Sequence, residues 1–122
     1  MEQRRKNKRV EVNLPIYCKF ADMNHQKIVS SVGKVSNLSL GGMKIMLPIR
    51  FPASQTKVMD YFLELPRPYL QIKGKARIVW AFWDDLSQTT EVGMEMTALD
   101  SMQRHELETI LCELNQENHL VQ

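Results

Sequence analysis

The sequence predicts a mainly β protein: a six-stranded antiparallel β-barrel, followed by a C-terminal α-helix and preceded by a flexible basic N-terminal arm. Three observations support this prediction. Apolar and polar residues alternate with period two through most of the chain, which is typical of strands with one buried face. No helical pattern separates these strands, so we expect them to pair antiparallel. Closure into a barrel would then remove the exposed edges of the sheet.

The first strand has the clearest pattern. Apolar residues occupy every second position from residue 10 to residue 20, as Val10, Val12, Leu14, Ile16, Cys18 and Phe20. Pro15 falls within this strand and has no N–H to donate to a ladder. It therefore predicts a sheet edge or a bulge at this point.

Five further strands are predicted at residues 28–40, 43–47, 58–65, 69–83 and 90–96. In the fifth strand one parity is expected to face inward, and it holds Ile72, Gly74, Ala76, Ile78, Trp80 and Phe82. Trp80 and Trp83 have opposite parity, so one of them should face out and could offer a stacking surface beside a groove. In the sixth strand Val92, Met94 and Met96 are expected to face inward.

The end of the chain has a helical pattern. Asp100 or Ser101 can cap the helix, because a short side-chain oxygen accepts hydrogen bonds from the first free amides. An apolar stripe follows at helical spacing, made of Leu107, Ile110, Leu111 and Leu114. We expect this stripe to pack against the barrel and the helix to fray over residues 115–122. The predicted organisation is an arm over residues 1–9 and a barrel with its helix over residues 10–118.

Length and composition fit one globular domain without disulfides. The chain has 122 residues, of which 43% are hydrophobic and 25% charged. No apolar run could span a bilayer, and no apolar stretch follows the basic N-terminus as a secretory signal requires. The two cysteines, Cys18 and Cys112, are expected to be buried free thiols, and the compartment to be the cytoplasm.

Nothing in the sequence indicates an enzyme or a metal site. The motif "HELET" at residues 105–109 has Thr109 where a zinc-protease helix needs its second histidine. The adjacent Asp84 and Asp85 lie in a predicted hairpin turn, where Asp is common for local hydrogen bonds. The "SLGGM" stretch lacks the lysine and the following helix of a phosphate-binding loop. We therefore predict no catalytic residues, no metal and no cofactor.

Charge is concentrated at the N-terminus. Five basic residues against Glu2 give residues 1–9 a charge of +4, which leaves −2 for the rest of a chain with net charge +2. The basic residues are Arg4, Arg5, Lys6, Lys8 and Arg9. A short basic arm on an otherwise slightly acidic chain favours a compact anionic partner over a long nucleic-acid tract.

A second notable stretch is "VSNLSLGGM". On a strand, Asn37 and Ser39 would share one face and point away from the core, side by side. Gly41 and Gly42 follow, and they allow the backbone to bend or a ligand to approach without interference from a Cβ atom.

These two stretches together resemble the PilZ domain family of cyclic di-GMP receptors. Arg5 and Arg9 form an R-x-x-x-R motif, and Asn37, Ser39 and Gly42 form N-x-S-x-x-G. "GKARIVW", "VGMEM" and the final helix are also similar to this family, so the resemblance covers residues 4–115. It implies a six-stranded antiparallel barrel in a bacterial protein, with the nucleotide held between the N-terminal arm and the barrel surface.

The residues predicted to contact the ligand are those of the two motifs together with Arg4, the neighbouring glycine and the tryptophan that could stack: Arg4, Arg5, Arg9, Asn37, Ser39, Gly41, Gly42 and Trp80. Arginine presents a fork of donors that suits phosphate oxygens or the O6 and N7 acceptors of guanine. A basic residue before the first motif often accompanies two stacked ligand copies in the family, so Arg4 implies two copies per chain. An unidentified downstream protein would read the ligand-bound state.

Two other functions remain open from the sequence. The chain could be a PilZ-type adaptor that binds a protein without the nucleotide. It could also be a small nucleic-acid-binding barrel with Trp83 or Tyr17 as stacking platforms, although the acidic remainder of the chain opposes this. The sequence also fits a plain solubilising function for the arm, since runs of charge are common at termini.

Overall fold

Six strands form a closed antiparallel barrel, and one helix follows them. A computed structural model describes residues 9–22, 25–51, 56–65, 71–97 and 99–121, with the backbone alone for residues 116–121. The elements are β1 (Val10–Asp22), β2 (Lys27–Leu38), β3 (Gly42–Leu47), β4 (Val58–Glu64), β5 (Gln71–Asp84), β6 (Thr89–Thr97) and α1 (Ser101–Val121). The order around the barrel is β1-β2-β3-β6-β5-β4, and β4 pairs with β1 to close it. The predicted fold class is confirmed.

The alternation of β1 sets the inside of the barrel. Ile16, Cys18 and Phe20 are at most 3% exposed, whereas Tyr17 between them is 48% exposed. The ladder with β4 begins at Ile16, one residue after Pro15. A register irregularity also lies just before Pro15, so the proline sits between a bulge and the start of a second ladder, as its missing N–H predicts.

The helix adds its apolar stripe to the same core. Leu107, Ile110 and Leu111 are buried in one cluster with the inward residues of the barrel, as predicted. Asp100 and Gln103 form a reciprocal cap: the Gln103 N–H donates to Asp100 Oδ1 at 2.7 Å, and the Asp100 N–H donates to Gln103 Oε1 at 3.2 Å. The helical backbone continues to Val121, through the segment for which fraying was predicted.

Two sequence predictions about burial are wrong. Trp80 and Phe82 are 43% and 63% exposed, although they share the parity of the buried Ile72. A register shift between Ile78 and Trp80 leaves Val79 as an extra residue opposite β6, and this bulge reverses the alternation of β5, so that Trp80 and Phe82 face outward. Cys112 is exposed, because it lies beside the buried stripe of α1; Cys18 is a buried free thiol, as predicted.

Candidate functional site

Three irregularities in strand register lie near one another in the barrel. They fall between Glu11 and Leu14 on β1, at Ser36 on β2 and at Val79 on β5. Bulges twist a strand and redirect its side chains, and they are common at the edges of functional sites. Here they bend the strands around the start of β1, the end of β2 and the β5–β6 ladder.

A cleft of about 300 Å³ opens at this position. It is lined by Arg9, Ser39, Gly41, Gly42, Met43, Lys44, Val79, Trp80, Gly93, Met94 and Glu95. The lining therefore comes from the residue before β1, the β2–β3 turn, and β3, β5 and β6. We refer to these residues as the rim cleft.

A row of directly opposed residues crosses five strands at the rim cleft. Register places Glu11 opposite Asn37, Asn37 opposite Lys44, Lys44 opposite Gly93, and Gly93 opposite Trp80. Opposed residues in a ladder share one face of the sheet, so this row runs along the outside of the barrel. Asn37 belongs to the row beside Lys44, although it is not one of the residues that line the cleft.

Ser39 does not project from the strand as its parity predicted. β2 ends at Leu38, and Ser39 begins a tight turn in which its side chain is 8% exposed. Its Oγ accepts from the Gly42 N–H and lies 3.2 Å from the Gly42 carbonyl, to which the Ser39 N–H also donates at 2.9 Å. The hydroxyl thus holds the turn that forms one wall of the rim cleft.

Two glycines bring backbone and indole close together at the cleft. A Cβ atom on Gly42 would lie 2.5 Å from the Met94 carbonyl oxygen of β6. A Cβ atom on Gly93 would overlap the indole of Trp80, whose Cζ2 it would approach to 2.8 Å. Neither glycine has a positive φ, so each is required for space and not for an unusual backbone conformation. The indole of Trp80 therefore covers Gly93, and 43% of this residue remains exposed.

The charged groups of the rim cleft are of both signs. Lys44 Nζ lies 3.8 Å from a carboxylate oxygen of Glu91. Glu95 pairs with Arg77, whose Nε donates to Glu95 Oε1 at 3.0 Å. Arg9 is exposed and makes no ion pair with any residue that the structure describes. Its guanidinium is therefore available to an anionic group.

The structure gathers most of the predicted site residues that it describes. Arg9, Ser39, Gly41, Gly42 and Trp80 all line the rim cleft. Arg4 and Arg5 lie outside the described residues, as does the rest of the predicted arm before Arg9.

Six further residues line the cleft without having been predicted as site residues, namely Met43, Lys44, Val79, Gly93, Met94 and Glu95. The outward parity of Lys44 on β3 and of Glu95 on β6 could have indicated these two. Lys44 lies opposite Asn37 in the β2–β3 ladder and Glu95 lies opposite Gly42 in the β3–β6 ladder, however, and the sequence does not give either register.

Within the described ranges, no three His, Cys, Asp or Glu side chains are close enough together to hold a metal ion. Among the same residues no helix has the length and apolar character needed to cross a membrane.

A closed six-stranded barrel with a C-terminal helix and a surface cleft at the β2–β3 turn defines the structural class. The chain belongs to the PilZ domain family, whose sequence model matches residues 3–113. No curated protein matches the sequence.

Solved structures show the same fold. The PilZ domain of YcgR from Escherichia coli, with c-di-GMP, has a TM-score of 0.65 at 18% identity and covers 95% of each chain. The K. pneumonia MrkH–c-di-GMP complex has a TM-score of 0.76 at 16% identity, over 100% of this chain and 57% of that one. The Bacillus subtilis inhibitor of motility, MotI/DgrA, has a TM-score of 0.74 at 18% identity, over 96% and 53%. The chain thus spans a little over half the length of the latter two.

Proposed function

We propose that this protein is a cytoplasmic, non-enzymatic receptor for cyclic di-GMP that passes the level of the messenger to a partner protein. The observation that carries the proposal is the convergence of Arg9, Ser39, Gly42 and Trp80 on one cleft. Membership of the PilZ family and the folds of the c-di-GMP-bound YcgR domain and MrkH support it.

The chemistry of the rim cleft suits this ligand. Cyclic di-GMP offers two phosphates and two guanines, and the guanidinium of Arg9, which is unpaired among the described residues, can donate a fork of hydrogen bonds to either. Trp80 offers a flat aromatic face on which a guanine can stack. Asn37 lies one strand beyond Lys44 and can contribute an amide oxygen to a base at the edge of the cleft.

The signal would leave through the N-terminal arm, residues 1–9, which precedes the barrel and helix of residues 10–118. Ordering about six arm residues costs roughly 6–12 kcal/mol of backbone entropy. Each charge-assisted hydrogen bond returns about 1.5–3 kcal/mol, so several must form together. Arg5 and Arg9 would therefore act jointly, with Arg4 bringing a second ligand copy, and the arm would be ordered only when the ligand is bound.

Isothermal titration of the full chain with cyclic di-GMP tests the proposal. We expect a micromolar or tighter Kd, equivalent to about −8 kcal/mol or better. Arg5→Ala and Arg9→Ala should each abolish binding and leave the Tm of the free protein unchanged. Arg104→Ala, at an exposed position of α1, is the matched control and should bind normally.

Limited digestion with trypsin tests the arm separately. Cleavage after the arm's basic residues should slow at saturating cyclic di-GMP and stay fast in the Arg9→Ala variant. Normal binding by both arginine variants would refute the ligand-gripping role of the arm. Absence of binding by the native chain would instead favour the adaptor that works without the nucleotide.

A further inference from the structure

A second groove, of about 370 Å³, lies on the outer face of the barrel across β2, β1, β4 and β5. It shares no residue with the rim cleft. Its lining is Tyr17, Cys18, Lys19, Ser30, Ser31, Val32, Asp60, Tyr61, Phe62 and Lys73. We refer to it as the outer groove. Arg9 immediately precedes β1 and Tyr17 lies within it, eight residues further along an extended chain. The two sites are therefore separated by about 26 Å along the direction of β1.

The centre of the outer groove is apolar. Register places Val32 opposite Tyr17, Tyr17 opposite Phe62, and Phe62 opposite Lys73, so these four side chains form one row on the outside of the sheet. The rings of Tyr17 and Phe62 pack edge to face with centroids 6.0 Å apart. Val32 and Tyr17 are 53% and 48% exposed.

This exposure is not required by the barrel. The inward positions of these strands already fill the core, and outward positions of an antiparallel sheet are usually polar. An aromatic pair beside a valine on a grooved surface marks a site where another molecule can bury apolar area.

The rim of the outer groove is positive. Lys19 and Lys73 line it beside one acid, Asp60, and Lys34 and Lys75 share the same outer face of β2 and β5. Only Lys75 has an ion-pair partner among the described residues, namely Asp60 at 2.8 Å. Glu64 lies two residues beyond Phe62 on the same face, and the excess of charge around the apolar row remains positive.

We propose that the outer groove docks an acidic segment of a partner protein, with apolar side chains seated on Tyr17, Phe62 and Val32 and carboxylates facing Lys19 and Lys73. Charge complementarity selects this occupant. A second copy of the chain would bring lysine rim against lysine rim in a symmetric contact, which is repulsive. A nucleic acid would need several cations converging on phosphates, whereas only two, Lys19 and Lys73, line the groove, and Asp60 lies opposite Lys19.

Selection from a phage-displayed library of random dodecapeptides on the immobilised full chain tests the proposal. We expect the enriched peptides to combine aromatic or large aliphatic residues with a net negative charge. Synthetic copies should bind at least tenfold more weakly to a Tyr17→Ser/Val32→Thr double variant than to the native chain. They should also weaken as salt is raised, because the lysine rim contributes to binding.

Val58→Thr is the matched control, since Val58 is 50% exposed on the outside of β4 but does not line the groove. It should bind the peptides as the native chain does, and both variants should keep the native Tm. The proposal is overturned by enriched peptides without acidic residues or by equal affinity for the double variant. It is also overturned if light scattering shows that the native chain is a dimer and the double variant a monomer. Binding of a single-stranded oligonucleotide at the groove in place of the peptides would overturn it as well.

Discussion

The indole of Trp80 lies on the bare backbone of Gly93, directly opposite it in the β5–β6 ladder. The glycine leaves the space that the ring occupies. The bulge at Val79 reverses the side-chain alternation of β5, so that the ring faces outward. The indole of Trp80 is therefore held against Gly93 at the rim cleft in the protein without ligand. A preorganised ring loses little conformational freedom on binding, so more of its stacking energy contributes to affinity.

Gly93→Ala tests this arrangement. The added methyl group would overlap the indole, so the Trp80 side chain must move away from Gly93. We expect the affinity for cyclic di-GMP to fall about tenfold, which is ~1.4 kcal/mol. Isothermal titration measures the affinity, and tryptophan fluorescence reports the displaced ring.

Gly74→Ala is the control for that experiment, because a Cβ atom there would lie 3.6–3.9 Å from atoms of Tyr61, an ordinary contact distance. Its affinity should equal that of the native chain. If Gly93→Ala also bound like the native chain, the flat indole would not be part of the binding surface.

Ser39→Ala separates a structural hydroxyl from a ligand-binding one. The Ser39 Oγ is already used inside the turn, where it bonds to the Gly42 N–H. We expect the variant to lose about 1 kcal/mol of unfolding free energy together with part of its ligand affinity. Urea denaturation and isothermal titration on the same sample give the two quantities. Loss of affinity with unchanged stability would instead assign the hydroxyl to direct ligand contact.

The sequence predicts those features of the fold that depend on the spacing of apolar residues and on the chemistry of single side chains. The buried face of β1 and the stripe of α1 follow from spacing alone, because each element has one apolar side. The cap of α1 by Asp100 follows from its short side chain, whose oxygen can accept a hydrogen bond from a free amide of the first turn. Convergence of Arg9 with Ser39 and Gly42 on one cleft was predicted through a family resemblance, since no local rule brings residue 9 to residue 39.

The features that the sequence did not predict depend on contacts between elements that are distant in the chain. A single extra residue, Val79, reverses the parity of Trp80 and Phe82, and period-two counting cannot detect it. Parity alone predicts that Ser39 continues the extended strand. In the structure β2 ends at Leu38, and hydrogen bonds between Ser39 and Gly42 hold Ser39 in a turn. Cys112 is next to the buried Leu111 in the chain, and its exposure is decided by where the helix meets the barrel.

Glu95→Gln tests how the rim cleft would recognise guanine. Both described hydrogen bonds from Arg77 go to Glu95 Oε1, and Oε2 receives none from the described residues. A carboxylate oxygen at the cleft can accept from the N1–H and N2–H groups of guanine, whereas adenine presents an acceptor at N1. We expect the variant to bind cyclic di-GMP about tenfold more weakly, ~1.4 kcal/mol, and to lose selectivity over cyclic di-AMP.

Titration with both dinucleotides measures that selectivity. Glu64→Gln, an exposed carboxylate on β4 outside the rim cleft, should leave both affinities unchanged. Equal weakening of the two dinucleotides in Glu95→Gln would show that the residue acts only through the overall charge of the cleft.

Two buried acids should make the fold sensitive to alkaline pH. Burial raises the pKa of Cys18 from 9.0 to about 12 and the pKa of Tyr61 from 10.0 to about 12. The native state thus keeps protons that the unfolded chain releases. These two groups therefore leave stability unchanged below about pH 9 and lower it as pH rises, by about 1.4 kcal/mol per pH unit for each group that remains protonated only in the native state. Urea denaturation from pH 8 to pH 11 measures this decline.

The two contributions can be separated by substitution. Cys18→Val should remove the decline that begins near pH 9, while Cys112→Ala, at the exposed thiol, should retain it. Tyr61→Phe should remove the part that begins near pH 10. It should also stabilise the protein at pH 7 by about 1 kcal/mol, because the Tyr61 hydroxyl is buried without a hydrogen-bond partner among the described residues. A native-like decline in the Cys18→Val/Tyr61→Phe double variant would mean that other groups set the alkaline limit of the barrel.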